Sequence, residues 1–299
     1  MGAPWPATPP YVAAYSGCAA SGLGRTLQAA ARAALLLGTL TWAAAGAEVN
    51  IDELLNQAQA ADLRGERTNA LALVSQAIAA APTNAQCYYV RGRLHASHGD
   101  HAQALADLDR VLQLEPRAAE VYQFRGFEQM RLGRFTEAIA DFDQFLRYAP
   151  RGQPFHWQRG VACYFAGRFA EARKQFEAHQ LVNSNDVENA AWHFAAVARA
   201  EGPEAARGAL LRGLKDRRPP MMQIYGLLQG KLKPDDVLAA ARAGRPLPQE
   251  LKQRLFLAHY YIGLYYEALG QPGLAREHLR AAAEHAPPTF MGDVARVHA

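Results

Sequence analysis

Apolar positions along the chain follow helical spacing, and the pattern itself recurs. Val74, Leu108, Phe142 and Phe176 each stand four residues after an alanine, at Ala70, Ala104, Ala138 and Ala172. Five residues before each alanine is a glycine, and these glycines, Gly65, Gly99, Gly133 and Gly167, lie 34 residues apart. Pro82, Pro116 and Pro150 close the first three periods, with Ser184 in the fourth. Coincident series at one spacing identify a structural repeat. The chemistry of each position predicts its form. Glycine ends a first helix because it tolerates the left-handed conformation of a helix terminus. The alanine lets a second helix approach the first. The apolar residue one turn later lies on the same face and fills the space beside it. Proline then ends the second helix. The prediction is a series of antiparallel helical hairpins with no strands.

A second series fixes the register. Seven residues before the turn glycine come Gly92, Gly126 and Gly160, with Ala58 in the first period, and four residues earlier come the rings Tyr88, Tyr122 and His156. Small, bulky, glycine and proline positions together resemble the tetratricopeptide repeat, with units at 51–84, 85–118, 119–152 and 153–186. The resemblance implies an all-α fold, an α-solenoid of stacked antiparallel helix hairpins. His259, Gly263, Gly270, Ala275, Leu279 and Pro287 repeat the order once more, predicting a final unit over 256–289 in the same stack and a tail over 290–299. Residues 187–255 have room for two degenerate hairpins. Breakers at Gly202-Pro203, Pro219-Pro220, Gly230 with Pro234, and Gly244 to Pro248 place their helices near 187–200, 203–215, 221–229 and 234–243.

Residues 1–47 read as a removable export signal. They contain no carboxylate, carry Arg25 and Arg32, and run through thirteen mostly apolar residues from Ala33 to the small-residue site Ala45-Gly46-Ala47. That run is shorter than the roughly 20 apolar residues that span a bilayer. Cys18 has no charged and apolar stretch before it, so no lipid attachment and no stable membrane anchor are expected. Losing both arginines takes the net charge from +4 to +2. A nearly neutral surface without a basic run gives no reason to expect nucleic acid as a partner. Cys87 and Cys163 remain, two repeats apart, too distant for a bridge within the chain.

The order of export signal, repeats, irregular helical segment and final repeat resembles the NlpI-type lipoproteins of Gram-negative envelopes. Asn185-Asp186, M-Q-I-Y-G-L-L-Q-G-K-L over 222–232 and Y-Y-I-G-L-Y-Y-E-A-L-G over 260–270 carry this further likeness. The missing lipid-attachment cysteine departs from it. The resemblance implies a periplasmic or secreted adaptor, dimeric in that family, that recruits envelope proteases and peptidoglycan-processing enzymes.

In a stack of such hairpins the first helix of each lines the concave side. There the register places Tyr89 and Arg93, then Phe127, Met130 and Arg131, then Trp157, Tyr164 and Phe165. Aromatic residues and arginine dominate binding energy at interfaces, so this face is the candidate groove for partner polypeptides. The alternative is a structural subunit whose rings are buried by its own C-terminal segment or by a second copy. Arg91, Arg125 and Arg159 recur at one position, but Asp107 and Asp141 recur opposite them, which predicts helix-to-helix ion pairs rather than a ligand clamp. His95, His98 and His101 suggest metal only superficially, because the Gly99-Asp100 turn interrupts the helix that would align them. No phosphate-binding loop, nucleophile elbow or H-E-x-x-H occurs, so neither an enzyme nor a cofactor is expected.

Overall fold

The structure, a computed structural model, describes residues 49–299. The export segment read over 1–47, with Cys18, lies outside them. Four hairpins come first: α1 (Ile51–Leu63) with α2 (Arg67–Ala80), α3 (Ala85–Ser97) with α4 (His101–Leu114), α5 (Ala119–Arg131) with α6 (Phe135–Tyr148), and α7 (Trp157–Phe165) with α8 (Phe169–Gln180). Asn50 and Asn84 cap α1 and α3 by accepting from Glu53 N and Gln86 N. Between hairpins one and two, and within each, the chain reverses at the expected breakers. Gly99, for example, has φ of 81°, and its counterparts at 65, 133 and 167 share that sign. The first helix of the fourth unit starts late. Residues 150–155 form a short 3-10 helix containing Pro154, which has no N–H to contribute to an α-helix, so α7 begins at Trp157.

The small residues let the two helices of a hairpin touch. A Cβ added at Gly126 would come within 2.5 Å of Phe142 Cε1, and one at Gly160 within 2.8 Å of the Phe176 ring. Gly263 faces Leu279 in the same way at 2.8 Å. The small position of each first helix is thus filled by the large apolar residue of the second. At Gly92 the fit is looser, with the nearest atom, Asp107 Cβ, at 3.3 Å.

The irregular segment has its own logic. Helix α9 (Val187–Glu201), capped by Asp186, is buried on nearly every side from Val187 to Ala198. Its run of apolar and small residues has no solvent face, as befits a central helix. Around it pack α8, α10 (Pro203–Gly208), α11 (Met221–Leu228) and α13 (Pro248–Ala268). The helix expected over 203–215 stops at Gly208, and 209–217 is irregular, held by Leu210, Leu214 and Asp216 pointing inward. The Tyr225 hydroxyl fastens this stretch by donating to Leu211 O at 2.8 Å. Helix α12 (Pro234–Arg242) follows, and α13 begins at Pro248, eight residues before the expected start of the final unit. It pairs with α14 (Pro272–His285). The last ten residues, read as a tail, form a further helix, α15 (Phe290–His298), with Thr289 as its N-cap.

Two small apolar clusters hold the first two hairpins and the start of α5, through Val121 and Phe124, whereas from Phe127 to Ala295 one continuous cluster of buried side chains joins the remaining helices. His156 lies inside it, against the rings of Phe142 at 4.5 Å and Phe145 at 5.6 Å. In the two preceding units this position is a tyrosine whose hydroxyl reaches the carbonyl of Pro82 or Pro116. Burial holds the imidazole down at about 4, against an ordinary value of 6.5. Among the described residues no helix is long and apolar enough to cross a membrane.

Two outcomes follow. Gly126→Ala is expected to destabilise by about 1–3 kcal/mol through overpacking against Phe142, less a helix-propensity gain of up to about 1 kcal/mol, and to lower the melting temperature more than Gly92→Ala does. Equal melting temperatures would contradict this account of the packing. Between about pH 6.5 and 4 the unfolded chain takes up a proton that folded His156 refuses, so stability is complete above that window and falls as pH drops through it. A shift of this size corresponds to about 3 kcal/mol. In melts from pH 7 to pH 4, His156→Phe should shrink the fall, and an unchanged slope would show that His156 is not its source.

Candidate binding face

The first helices of the third and fourth units carry the aromatic face expected from the register, and the structure shows what lies on it. Helix α15 packs against α5 and α14. Its Phe290 ring meets Phe127 edge-on at 5.4 Å and Trp157 at 5.9 Å. The Arg131 guanidinium lies over the Phe290 ring at 5.5 Å and donates to Asp293 Oδ2 at 2.9 Å. At the other end of α15, His298 meets the Phe165 ring at 4.7 Å and pairs with Glu267 at 2.6 Å. The chain's own C-terminal helix therefore occupies this face.

Phe127, Met130 and Tyr164 are buried, at 2%, 0% and 2% exposure, so they are part of the core and present no open groove. Tyr164 donates to Glu267 Oε1 at 2.8 Å and meets Trp192 at 5.3 Å, which ties α7 to α13 and α9. Burial beside that carboxylate raises its phenol well above the ordinary range. Phe165 stacks on Phe135 at 4.5 Å, and with Trp157 it is partly buried against the same core. Tyr89 belongs to the second hairpin and is buried against Phe124 at 6.1 Å, while Arg93 one turn on is half-buried. The structure brings Phe127, Arg131, Trp157 and Phe165 together under α15 and leaves Tyr89 and Arg93 outside that contact.

Two polar networks anchor α15. Buried Glu128, without solvent exposure, is held by Arg131 at 2.5 Å and by His101 of α4 at 2.7 Å, and Arg131 passes the contact to Asp293. Glu267 gathers Tyr164, Arg199 at 2.9 Å and His298. Glu128, Glu267, Phe290, Asp293 and His298 were not singled out from the sequence. A signal for the last three existed: Thr289 has N-cap chemistry, and Phe290, Asp293 or Val294, and Val297 or His298 recur at helical spacing.

The arginine series resolves as ion pairs. Arg91 is bidentate on Asp107, at 2.9 and 2.7 Å, and Arg125 on Asp141, at 2.8 and 2.7 Å, with Asp109 Oδ1 accepting a third hydrogen bond from Arg125 at 2.7 Å. In the fourth unit Gln175 replaces the aspartate, and Arg159 turns to Asp143 and Glu171. The three histidines go to different carboxylates: His95 to Asp100, His98 to Asp62 and His101 to Glu128. Among the described residues no group of three or more such side chains is placed to hold a metal ion. Cys87 and Cys163 are free and buried, and burial pushes the Cys163 thiol up to about 11.

Arg125→Met is expected to cost about 3–5 kcal/mol, because it strands Asp141, whose side chain is 6% exposed, without its partner. Chemical denaturation measures this. A loss below about 1 kcal/mol, the range of exposed pairs, would contradict a structural role.

Comparison with family models agrees with the repeats. Tetratricopeptide-repeat family models match residues 55–120 and 92–156. No curated protein matches the chain. Among solved structures, the MamA RS-1 ArsTM double mutant aligns at 16% identity over 55% of this chain and 92% of that one, with a TM-score of 0.49. MamA 41-end from Desulfovibrio magneticus RS-1 aligns at 16% identity over the same shares, with a TM-score of 0.48. A further crystal structure of MamA aligns at 13% identity over 79% of this chain and 91% of that one, with a TM-score of 0.44. The repeated small-residue contacts, the turn glycines and the two family matches make one conclusion: this is a tetratricopeptide-repeat protein, with matched repeats over 55–156 and an all-α solenoid across the described residues.

Proposed function

We propose that this protein is an exported, non-catalytic scaffold of the bacterial cell envelope that captures helical segments of partner polypeptides on the face of α5 and α7. The observation that carries this reading is the helix already seated there. An amphipathic segment places a ring between Phe127 and Trp157, a carboxylate on Arg131 and an imidazole on Glu267. Such anchors are how a groove recognises one face of a helix. The seated helix is then a placeholder, and a partner presenting an aromatic residue followed three residues later by a carboxylate competes for the same contacts.

The envelope location rests on the composition of residues 1–47 and on the likeness to NlpI-type lipoproteins. Proteases and peptidoglycan-processing enzymes are the partner class implied by that likeness. A second reading has one specific observation in its favour. Val294 and Ala295 are wholly buried and belong to the continuous core, as expected of a permanent structural element.

A labelled peptide of residues 287–299 separates the two when titrated against the full chain and against a Phe290→Ala, Asp293→Arg variant of it. Weakening the internal helix raises the fraction of open face, and apparent affinity rises in proportion. At least about tenfold tighter binding by the variant is expected. A folded variant that ignores the peptide would show that the face is permanent core and sink the scaffold reading.

A further inference from the structure

We propose that the basic cavity between residues 207–215 and α11 is a binding site for a phosphate-bearing ligand. The cavity has a volume of about 570 Å³ and is lined by four cationic side chains, Arg207, Arg212, Lys215 and Lys231, together with Tyr225 and Gln229. No carboxylate lines it. That volume falls within the roughly 300–1,000 Å³ of small-molecule sites.

The distribution of charge across the chain makes this arrangement unusual for the molecule. Residues 207–233 contain seven lysines or arginines and one carboxylate, Asp216, whereas the whole chain has a net charge of only +4. The remainder is therefore net acidic. Elsewhere arginines are consumed by carboxylates, as at Arg91, Arg125, Arg131 and Arg159. Here Asp216, Glu188 and Asp186 are engaged by a single arginine outside the cavity. Arg218 takes Asp216 at 2.6 Å, Glu188 at 2.5 Å and Asp186 at 3.3 Å. Within the cavity, Arg207 has a long 3.4 Å contact to highly exposed Glu204, and its buried Nε has no hydrogen-bond acceptor. Holding four cations around one space is unfavourable until an anion enters it.

The chemistry favours phosphate over a lone carboxylate. Two guanidinium forks and two ammonium groups offer donors in several directions, which a tetrahedral phosphate oxyanion satisfies better than a planar carboxylate. Leu210 and Leu214 form an apolar wall beside them, so the ligand carries an apolar or ring portion next to its phosphate. The site lies outside the face covered by α15, and its test is independent of the scaffold reading.

The full chain would be titrated with sodium pyrophosphate by calorimetry at fixed ionic strength, and mixed with phosphatidylglycerol vesicles, using phosphatidylcholine vesicles as the control, in a flotation assay. Arg212→Gln and Lys231→Gln, both at exposed positions, are expected to weaken binding at least about tenfold each without moving the melting temperature. Arg276→Gln, exposed and remote, should leave it unchanged. Pyrophosphate binding that depends on the two cavity residues supports a soluble phosphate ligand. Phosphatidylglycerol binding with the same dependence supports a lipid headgroup. The proposal is overturned by absence of binding in both arms, by equal loss in all three variants, or by tighter binding of a tetra-aspartate peptide than of pyrophosphate.

Discussion

Phe142 and Phe176 lie against the opposing helix where Gly126 and Gly160 leave room for them, and that close approach sets the geometry on which the other contacts depend. With the paired helices this near, the arginine one position before the glycine reaches the aspartate of the opposing helix, giving the Arg91–Asp107 and Arg125–Asp141 pairs. A larger residue at the small position would separate the helices and strand both charges. Packing and pairing are thus one constraint. The fourth unit illustrates its limits: it keeps the small residue and the phenylalanine but replaces the aspartate by Gln175, and Arg159 finds other carboxylates without disturbing the hairpin.

From the third unit onward the molecule is organised around a central apolar helix rather than by a simple succession of hairpins. Helix α9 has no polar face to give to solvent, so the chain that follows must wrap it, and α10, α11 and α13 do so. This wrapping brings Glu267 to Tyr164 and directs the end of the chain back across α5. Helix α15 is then held by rings at one end and by two buried or half-buried carboxylate networks, centred on Glu128 and Glu267. Aromatic contact supplies area, and the charged contacts fix orientation and register.

Charge is distributed by the same logic of contact. Where helices pair closely, arginines meet carboxylates. Where the chain is irregular, over 209–217, no opposing helix supplies them, and cations collect around a cavity. The nearly neutral total conceals this separation of acidic and basic regions.

The sequence by itself determined the hairpins, their register and the Arg91–Asp107 and Arg125–Asp141 pairs, because each depends on residues within one unit, at a fixed separation that the 34-residue period repeats. Gly99, Asp107 and Phe142 have the same task in any stack of these units. Only the tertiary structure decided that Phe127 and Tyr164 are core residues, since Phe290 of α15 packs on the first and Glu267 of α13 takes the hydroxyl of the second, each more than 100 residues further along the chain. The helix over 203–215 failed past Gly208 for a related reason. Leu210, Leu214 and Asp216 find inward partners in an irregular path, and the Tyr225 hydroxyl secures it, none of which a local periodicity encodes. The basic cavity was equally hidden, because Arg207, Arg212, Lys215 and Lys231 are spaced too widely to read as a basic run. Repetition makes local contacts legible, while long-range packing, which occurs once, leaves no period to read.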